Sequence, residues 1–186
     1  MRYDAAMSTE RHLVLSALGP DRPGIVAEVT SYVTERGGNI EDSRMAVLGG
    51  EFGVMMLLSG SADEIARIAR ETPQLHATTG LDVTTRDTKS AEEHRRAQSI
   101  PCVVTCDAID NPGIVRAVSR ALHALGLNIV SLETTTYEAP VTGSPLFRLE
   151  AQCDAPRGVT IAKVRAAMQE VAERENIDVD VSAVTR

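Results

Sequence analysis

Two short turns carry the residues of this sequence whose types and spacing could bind a small charged molecule. They are Asp21-Arg22-Pro23-Gly24 and Asp110-Asn111-Pro112-Gly113. An apolar helical pattern follows each turn, and the first turn of a helix presents unpaired N–H groups and partial positive charge, which suits a carboxylate. A glycine there lets a ligand approach the backbone without meeting a Cβ atom. Since the aspartate can face an ammonium group, each turn has the chemistry to hold a small amino acid.

The same turns also have a purely structural interpretation, which the residues alone leave open. A proline suits the first turn of a helix, where its missing N–H costs nothing. An aspartate or asparagine beside it can cap the free amides of the helix, and the glycine would then only relieve crowding.

Both turns belong to a segment that occurs twice, 89 positions apart and without a gap. Nine identities relate the copies within about twenty residues. In the first copy they are Asp21, Pro23, Gly24, Ile25, Val26, Val29, Gly37, Asn39 and Ile40, and in the second Asp110, Pro112, Gly113, Ile114, Val115, Val118, Gly126, Asn128 and Ile129. A duplicated unit this short predicts a small domain that packs on a neighbour.

The apolar periodicity predicts the same order of elements, βαββαβ, in each copy. In the first copy we expect strands at 12–18, 39–48, 52–58 and 75–85, with helices from Pro23 to Gly37 and from Ser61 to Arg70. In the second copy we expect strands at 100–106, 128–137, 145–153 and 177–184, with helices at 114–125 and 160–175. The predicted fold class is α+β, with two ferredoxin-like domains in tandem, antiparallel sheets and helices on one face. The domains span 11–86 and 100–185, and 87–99 is the linker.

Composition excludes several classes of function. The net charge is −7, and there are no Trp, two Phe and three Tyr residues. Nucleic-acid binding draws its affinity from basic residues and stacking aromatics, so we expect no direct contact with DNA or RNA. No apolar run reaches the ~18 residues that a membrane helix needs, and the start has no signal-peptide core, so we expect a cytoplasmic protein.

The potential metal ligands are not spaced as a site. Cys102, Cys106 and Cys153 form no C-x2-C pair, and the four histidines are scattered. We therefore expect three buried thiols and neither a metal nor a cofactor. Ser43 has no nearby base in the sequence, and strand alternation puts Asp42 and Arg44 together on the other face, which favours an ion pair over catalysis.

Longer motifs resemble a known family. Leu18 to Val26 followed by Gly37-Gly38-Asn39-Ile40 looks like the ACT domain, a βαββαβ regulatory module that binds amino acids. More narrowly, Asn39-Ile40-Glu41-Asp42-Ser43-Arg44, Leu48-Gly49, Glu51-Phe52, Met56-Leu57 and Pro145-Leu146-Phe147 resemble the glycine cleavage system transcriptional repressor family. The likeness covers residues 11–185.

The resemblance implies a dimeric regulator without catalysis, which senses glycine or serine and represses through a separate transcription factor. In ACT domains the ligand lies between the turn after the first strand and the second strand of an adjacent domain. Carried over, the implied binding residues are Asp21, Arg22, Pro23, Gly24, Asn39, Ile40, Asp110, Asn111, Pro112, Gly113, Asn128 and Ile129. Asn39 and Asn128 could equally form a tight turn from helix to strand. Asn111 replaces Arg22 and Leu127 replaces Gly38 in the second copy, so that pocket is expected to differ or be empty.

Two other functions compete with this one. Formyltetrahydrofolate deformylases carry a similar Asp-Arg-Pro-Gly turn, but such an enzyme needs a further catalytic domain, and no Asn/His/Asp cluster follows here. The other alternative is a scaffold without a small ligand, whose sheets serve oligomerisation or contact with other proteins.

Overall fold

The computed structural model describes residues 10–91, 99–138 and 143–184, which form two compact units divided between residues 95 and 96. This division falls inside the segment 87–99 that the sequence predicts as a linker. Among the described residues, no helix is long and apolar enough to cross a membrane.

The first unit is an antiparallel sheet of four strands in the order β2-β3-β1-β4. Its elements are β1 (Arg11–Pro20), α1 (Ile25–Thr34), β2 (Asn39–Leu48), β3 (Glu51–Gly60), α2 (Ala62–Arg70), α3 (Thr72–Thr79) and β4 (Asp82–Thr88). Alternate residues of β1, such as Leu13 and Leu15, are buried against Val29 and Ile68 of the helices. The helices therefore cover one face of the sheet, as the period-2 pattern requires.

Local chemistry sets the boundaries of these elements. Ser61 and Glu64 form a capping box at the start of α2, in which the Ser61 N–H donates to the Glu64 carboxylate at 2.7 Å. The Gly49-Gly50 pair in the sequence is also a signal for a two-residue hairpin. These residues have φ values of +62° and +101° and form that hairpin between β2 and β3.

The second unit repeats this plan in the strand order β6-β7-β5-β8. Its elements are β5 (Ile100–Ile109), α4 (Ile114–Ala124), β6 (Asn128–Glu138), β7 (Pro145–Ala155), α5 (Ile161–Glu175) and β8 (Asp178–Ala183). Its core includes Val104, Leu122 and Met168. The sequence also predicts a loose hairpin from Glu138 to Ser144, of which residues 139–142 lie outside the described residues. The predicted fold class, two ferredoxin-like domains in tandem, is confirmed.

The prediction of a strand over 75–85 is wrong in its first half. Residues 75–79 belong to α3, which ends at Gly80 in the left-handed conformation, and β4 begins only at Asp82. Leu75 and Thr79 lie one turn apart and are buried, which is a helical pattern. The threonine hydroxyl donates back to the Leu75 carbonyl, and this bond accommodates a β-branched residue in a helix. At its other end β4 extends to Thr88, which pairs with His12, so the strand enters the predicted linker by two residues.

Candidate functional site

The first turn follows β1 and leads into α1 through Gly24. This residue is the N-cap of α1 with φ of +88°, a left-handed conformation that glycine adopts without strain. Pro23 therefore precedes the helix and is not in its first turn, so that part of the structural interpretation is wrong. The N-cap makes no side-chain hydrogen bond, and Asp21 does not cap the helix. The left-handed backbone accounts for a glycine at position 24, and the side chain of Asp21 is exposed to solvent.

The start of α1 keeps two backbone donors open. The Ile25 N–H approaches the Arg22 carbonyl at 3.4 Å, and the first bond of the regular helix runs from the Glu28 N–H to the Gly24 carbonyl at 3.1 Å. Within the described residues no acceptor contacts the N–H groups of Val26 and Ala27. Exposed, unpaired donors of this kind give a helix N-terminus its capacity to bind an anion.

Glu28 supplies a carboxylate beside this helix start, and sequence reasoning missed it. The two terminal nitrogens of the Arg22 guanidinium donate to the Glu28 carboxylate at 2.6 Å, and one of them also donates to the Thr78 carbonyl of α3 at 3.4 Å. These hydrogen bonds lower the pKa of the Glu28 carboxyl and raise the pKa of Arg22. The signal in the sequence was an acid in the first turn of a helix, which the macrodipole favours.

The second turn has the same backbone and different side chains. Gly113 is the N-cap of α4 with φ of +106° and no side-chain cap, and the Ala117 N–H donates to its carbonyl at 2.9 Å. Asn111 and Ala117 occupy the positions of Arg22 and Glu28, so neither half of the ion pair exists here. A groove of about 490 Å³ lies along the turn. This helix start carries no side-chain carboxylate of its own and is open to an external one.

Both turns are anchored to the neighbouring hairpin in the same way. The Asp21 N–H donates to the Gly50 carbonyl at 3.0 Å, and the Asp110 N–H donates to the Pro145 carbonyl at 3.1 Å. Asp21, Pro23 and their counterparts in the second unit are exposed to solvent. The turns are therefore held by their backbones, while their side chains remain available.

The asparagines of the predicted site lie at the far end of each sheet from the turn. Asn39 begins β2 opposite Ser59, which pairs in turn with His12 at the start of β1, whereas the turn follows Pro20 at its end. Eight residues of strand separate the two ends, roughly 25 Å at the usual rise. In the second unit Asn128 pairs with Asp154, which pairs in turn with Pro101 near the start of β5. The structure thus does not bring Asn39, Ile40, Asn128 or Ile129 to the turn of their own unit.

The segment after Asn39 forms an ion pair, as strand alternation predicts. One β-bulge follows Ile40, and beyond it Asp42 and Arg44 lie on the same face with their side chains bonded to each other. The half-buried Ser43 points to the other face, opposite Met56.

The three cysteines are free and buried, as predicted. Burial raises the pKa of Cys106 and of Cys153 to about 11. Thiols held in their neutral form are poor nucleophiles and poor metal ligands. They serve as apolar residues of the second core.

Comparison with known proteins finds relatives across the full length of the chain. A family model for the ACT domain matches residues 11–86. The glycine cleavage system transcriptional repressor of Escherichia coli (strain K12) is 30% identical over 178 residues, covering 96% of this chain and 93% of that protein. The protein of the same name from Shigella flexneri matches to the same extent. The crystal structure of an unknown protein from Galdieria sulphuraria has a TM-score of 0.81 and 31% identity, covering 95% of this chain and 99% of that one.

Proposed function

The chain belongs to the glycine cleavage system transcriptional repressor family, and from that premise we propose that it is a non-catalytic amino-acid sensor. Its ligand is glycine or serine, and it acts on a transcription factor of glycine cleavage genes by protein–protein contact. We infer that residues 11–86 and 100–185 are its two ACT domains and that 87–99 is the linker, whose first two residues continue β4. Membership of a family of repressors supports the regulatory role, and the turns support the ligand.

The observation that carries the proposal is the uncapped helix start behind a glycine in both units. At the second turn the amino-acid carboxylate accepts from the N–H groups of Val115 and Arg116, for which the described residues supply no acceptor. The ammonium group faces Asp110, whose side chain is exposed beside the turn. Since Gly113 has no Cβ and no atom lies within 4 Å of the position a Cβ would take, the backbone is accessible to a ligand.

The first turn binds through the same backbone but with a different electrostatic balance. The Glu28 carboxylate lies 3.9 Å from the position of a Cβ on Gly24, and Arg22 neutralises it. A ligand carboxylate at the amides of Val26 and Ala27 therefore meets a nearby charge of its own sign. From the sequence we expect the pocket of the second turn to be altered or empty. The Glu28 and Arg22 side chains at the first turn instead favour the second turn as the more open of the two.

Asn39 and Ile40, with Asn128 and Ile129, take part only where an adjacent ACT domain supplies them. A free amino acid is far shorter than the roughly 25 Å of strand between these residues and the turn of the same unit. If that domain belongs to a second copy of the chain, ligand binding is linked to homodimer formation, since a ligand shifts an equilibrium by its difference in affinity between the two states. Small-angle scattering with and without glycine tests this link, and identical profiles at saturation would remove it.

A scaffold without a small ligand is the second candidate, because one sheet face of the first unit is apolar and exposed. Leu18 and Met55 lie on the face away from the helices and are 57% and 54% exposed. The equivalent face of the second unit carries the Asp107–Arg148 ion pair at 2.8 Å. Such a difference fits a surface that binds another protein.

Calorimetric titration of glycine, serine and alanine separates the two candidates. We expect saturable heat with glycine or serine that Asp110→Asn weakens by at least about tenfold, or 1.4 kcal/mol. Asp180→Asn is the matched control, since it removes an exposed carboxylate of the same unit from β8. Absence of heat with every ligand would leave the scaffold, and equal weakening by both variants would exclude Asp110 as the ammonium partner.

A further inference from the structure

A second groove in the second unit lies between α4 and the C-terminal end of α5 and is lined by arginines. Its volume is about 500 Å³, and Arg116 and Arg120 of α4 face Arg174 of α5 across a floor made by Ala117 and Ala121. Small-molecule pockets in proteins commonly enclose 300–1,000 Å³, on the order of this space. We call it the arginine groove.

Two of these arginines carry charge that the described residues do not neutralise. Arg116 and Arg120 are four positions apart, hence on the same face of the helix, and neither forms an ion pair with a described residue. Arg174 donates at 2.8 Å to the carboxylate of Glu175, which also lines the groove and balances the charge of Arg174. Like charges one helical turn apart destabilise a helix. The arginine groove thus concentrates positive charge in a protein whose net charge is −7.

The duplication provides an internal comparison for the charges. The positions of Arg116 and Arg120 hold Ala27 and Ser31 in the first unit. Both arginines are absent from the copy that shares its fold, so the fold itself does not require them. The charges belong to the second unit alone.

The duplication also shows that the space is particular to the second unit. Tyr32 stands where the second unit has Ala121, and it is only 6% exposed. Its hydroxyl donates to the Ile68 carbonyl at 2.6 Å, and the Arg36 guanidinium lies 3.9 Å from the centre of its ring. In the first unit the side chain of Tyr32 therefore fills the space that is open above Ala121 in the second unit.

We propose that the arginine groove binds a small metabolite that carries a phosphate group. A guanidinium presents paired donors that match phosphate oxygens, and a phosphate dianion balances the two uncompensated charges of Arg116 and Arg120. A free amino acid suits the groove less well, because its ammonium group would face arginines. The proposal rests on the arginine side chains, whereas the amino-acid site rests on the backbone of the turn and on Asp110.

The arginine groove and the groove along the second turn share two residues, which allows the two ligands to influence each other. Gly113 and Arg116 line both grooves. If phosphate binding alters the affinity for glycine, glycine must alter the affinity for phosphate by the same factor.

The test uses the full chain, with pyrophosphate and inorganic phosphate as probes and citrate and a polyglutamate peptide as comparisons. Calorimetry should give saturable binding of pyrophosphate that the double variant Arg116→Gln/Arg120→Gln weakens by at least about tenfold. Ala121→Tyr, which imitates the first unit, should also abolish binding while leaving the arginines in place. Arg157→Gln is the matched control, because it removes one exposed positive charge of the same unit from outside the groove.

Three results would overturn the proposal. They are no saturable binding of either phosphate probe at millimolar concentration, equal weakening by Arg157→Gln, and groove-dependent binding of citrate or the peptide in preference to pyrophosphate. Far-ultraviolet circular dichroism confirms that each variant is folded before titration. A parallel glycine titration keeps the two proposals apart, since glycine binding with no phosphate binding would remove the arginine groove alone.

Discussion

Replacing the N-cap glycines by alanine tests the backbone argument before any ligand is known. Gly24 and Gly113 have φ of +88° and +106°, and an added Cβ would meet only a Glu28 oxygen at 3.9 Å in the first case and no atom within 4 Å in the second. Packing therefore costs nothing, and the left-handed conformation costs alanine about 1–2 kcal/mol. Alanine also restricts the unfolded chain, which offsets about 0.4–1 kcal/mol. We expect a net loss of about 1 kcal/mol in the free energy of unfolding for each variant.

Gly158→Ala is the matched control for this strain. Gly158 has φ of +87°, almost the value of Gly24, and an added Cβ there also meets no atom within 4 Å. Urea denaturation followed by circular dichroism should show similar losses in all three variants. Since 1 kcal/mol corresponds to about 4–8 °C for a domain of this size, thermal melting gives a second measurement. If Gly24→Ala and Gly113→Ala were as stable as the parent chain, the left-handed N-cap would be refuted.

The same variants separate the binding role of the glycines from their conformational role. A Cβ at Gly113 projects from the backbone that the proposed amino acid approaches, so glycine affinity should fall by about tenfold or more. Gly158→Ala should lose stability and keep its affinity. If Gly113→Ala and Gly158→Ala both lost glycine binding, strain alone would explain the effect. Unchanged binding in Gly113→Ala would exclude this turn as the binding site.

Two further predictions concern titrating groups. Hydrogen bonds from Arg22 hold the pKa of Glu28 below its ordinary 4.5, so the pair contributes stability above that pH and loses it as the pH falls through the folded-state pKa. Glu28→Gln should lower the urea midpoint at pH 7. It should also reduce the decrease of the midpoint between pH 5 and pH 3, and an unchanged decrease would contradict the pairing. Because burial raises the pKa of Cys106 and Cys153 to about 11, a thiol reagent at pH 8 should label them only as fast as the chain unfolds. Full labelling in guanidinium is the reference. Rapid labelling of the native protein would contradict the prediction, because it would show that the reagent reaches the core of the second unit without unfolding.

The fold was predictable where the local signals agreed. The apolar run of β1, the capping box at Ser61 and the Gly49-Gly50 hairpin each specify one local structure, and the duplication repeats the order of elements in the second unit. The strand predicted from residue 75 failed because threonines favour strands by propensity, while burial one turn apart and the hydroxyl bond of Thr79 stabilise a helix. That hydroxyl bond becomes visible only in three dimensions.

The candidate site was predictable in its positions and less so in its contacts. The Asp-x-Pro-Gly spacing located both turns, since an N-cap glycine is a local feature. The bond between Arg22 and Glu28 crosses the start of a helix, and the spacing of the two residues does not reveal which charges meet. The distance from Asn39 to the turn depends on strand pairing over the whole of β1, which no local pattern encodes.

The difference between the two turns has a consequence for how a sensor of this kind would read a signal. One helix start carries a neutralised carboxylate at Glu28, and the other has Ala117 in its place. If both turns bind the same amino acid, the two occupancies follow separate curves with different midpoints. A single chain would then respond over a wider span of concentration than one pocket allows, because its two helix starts differ in local charge.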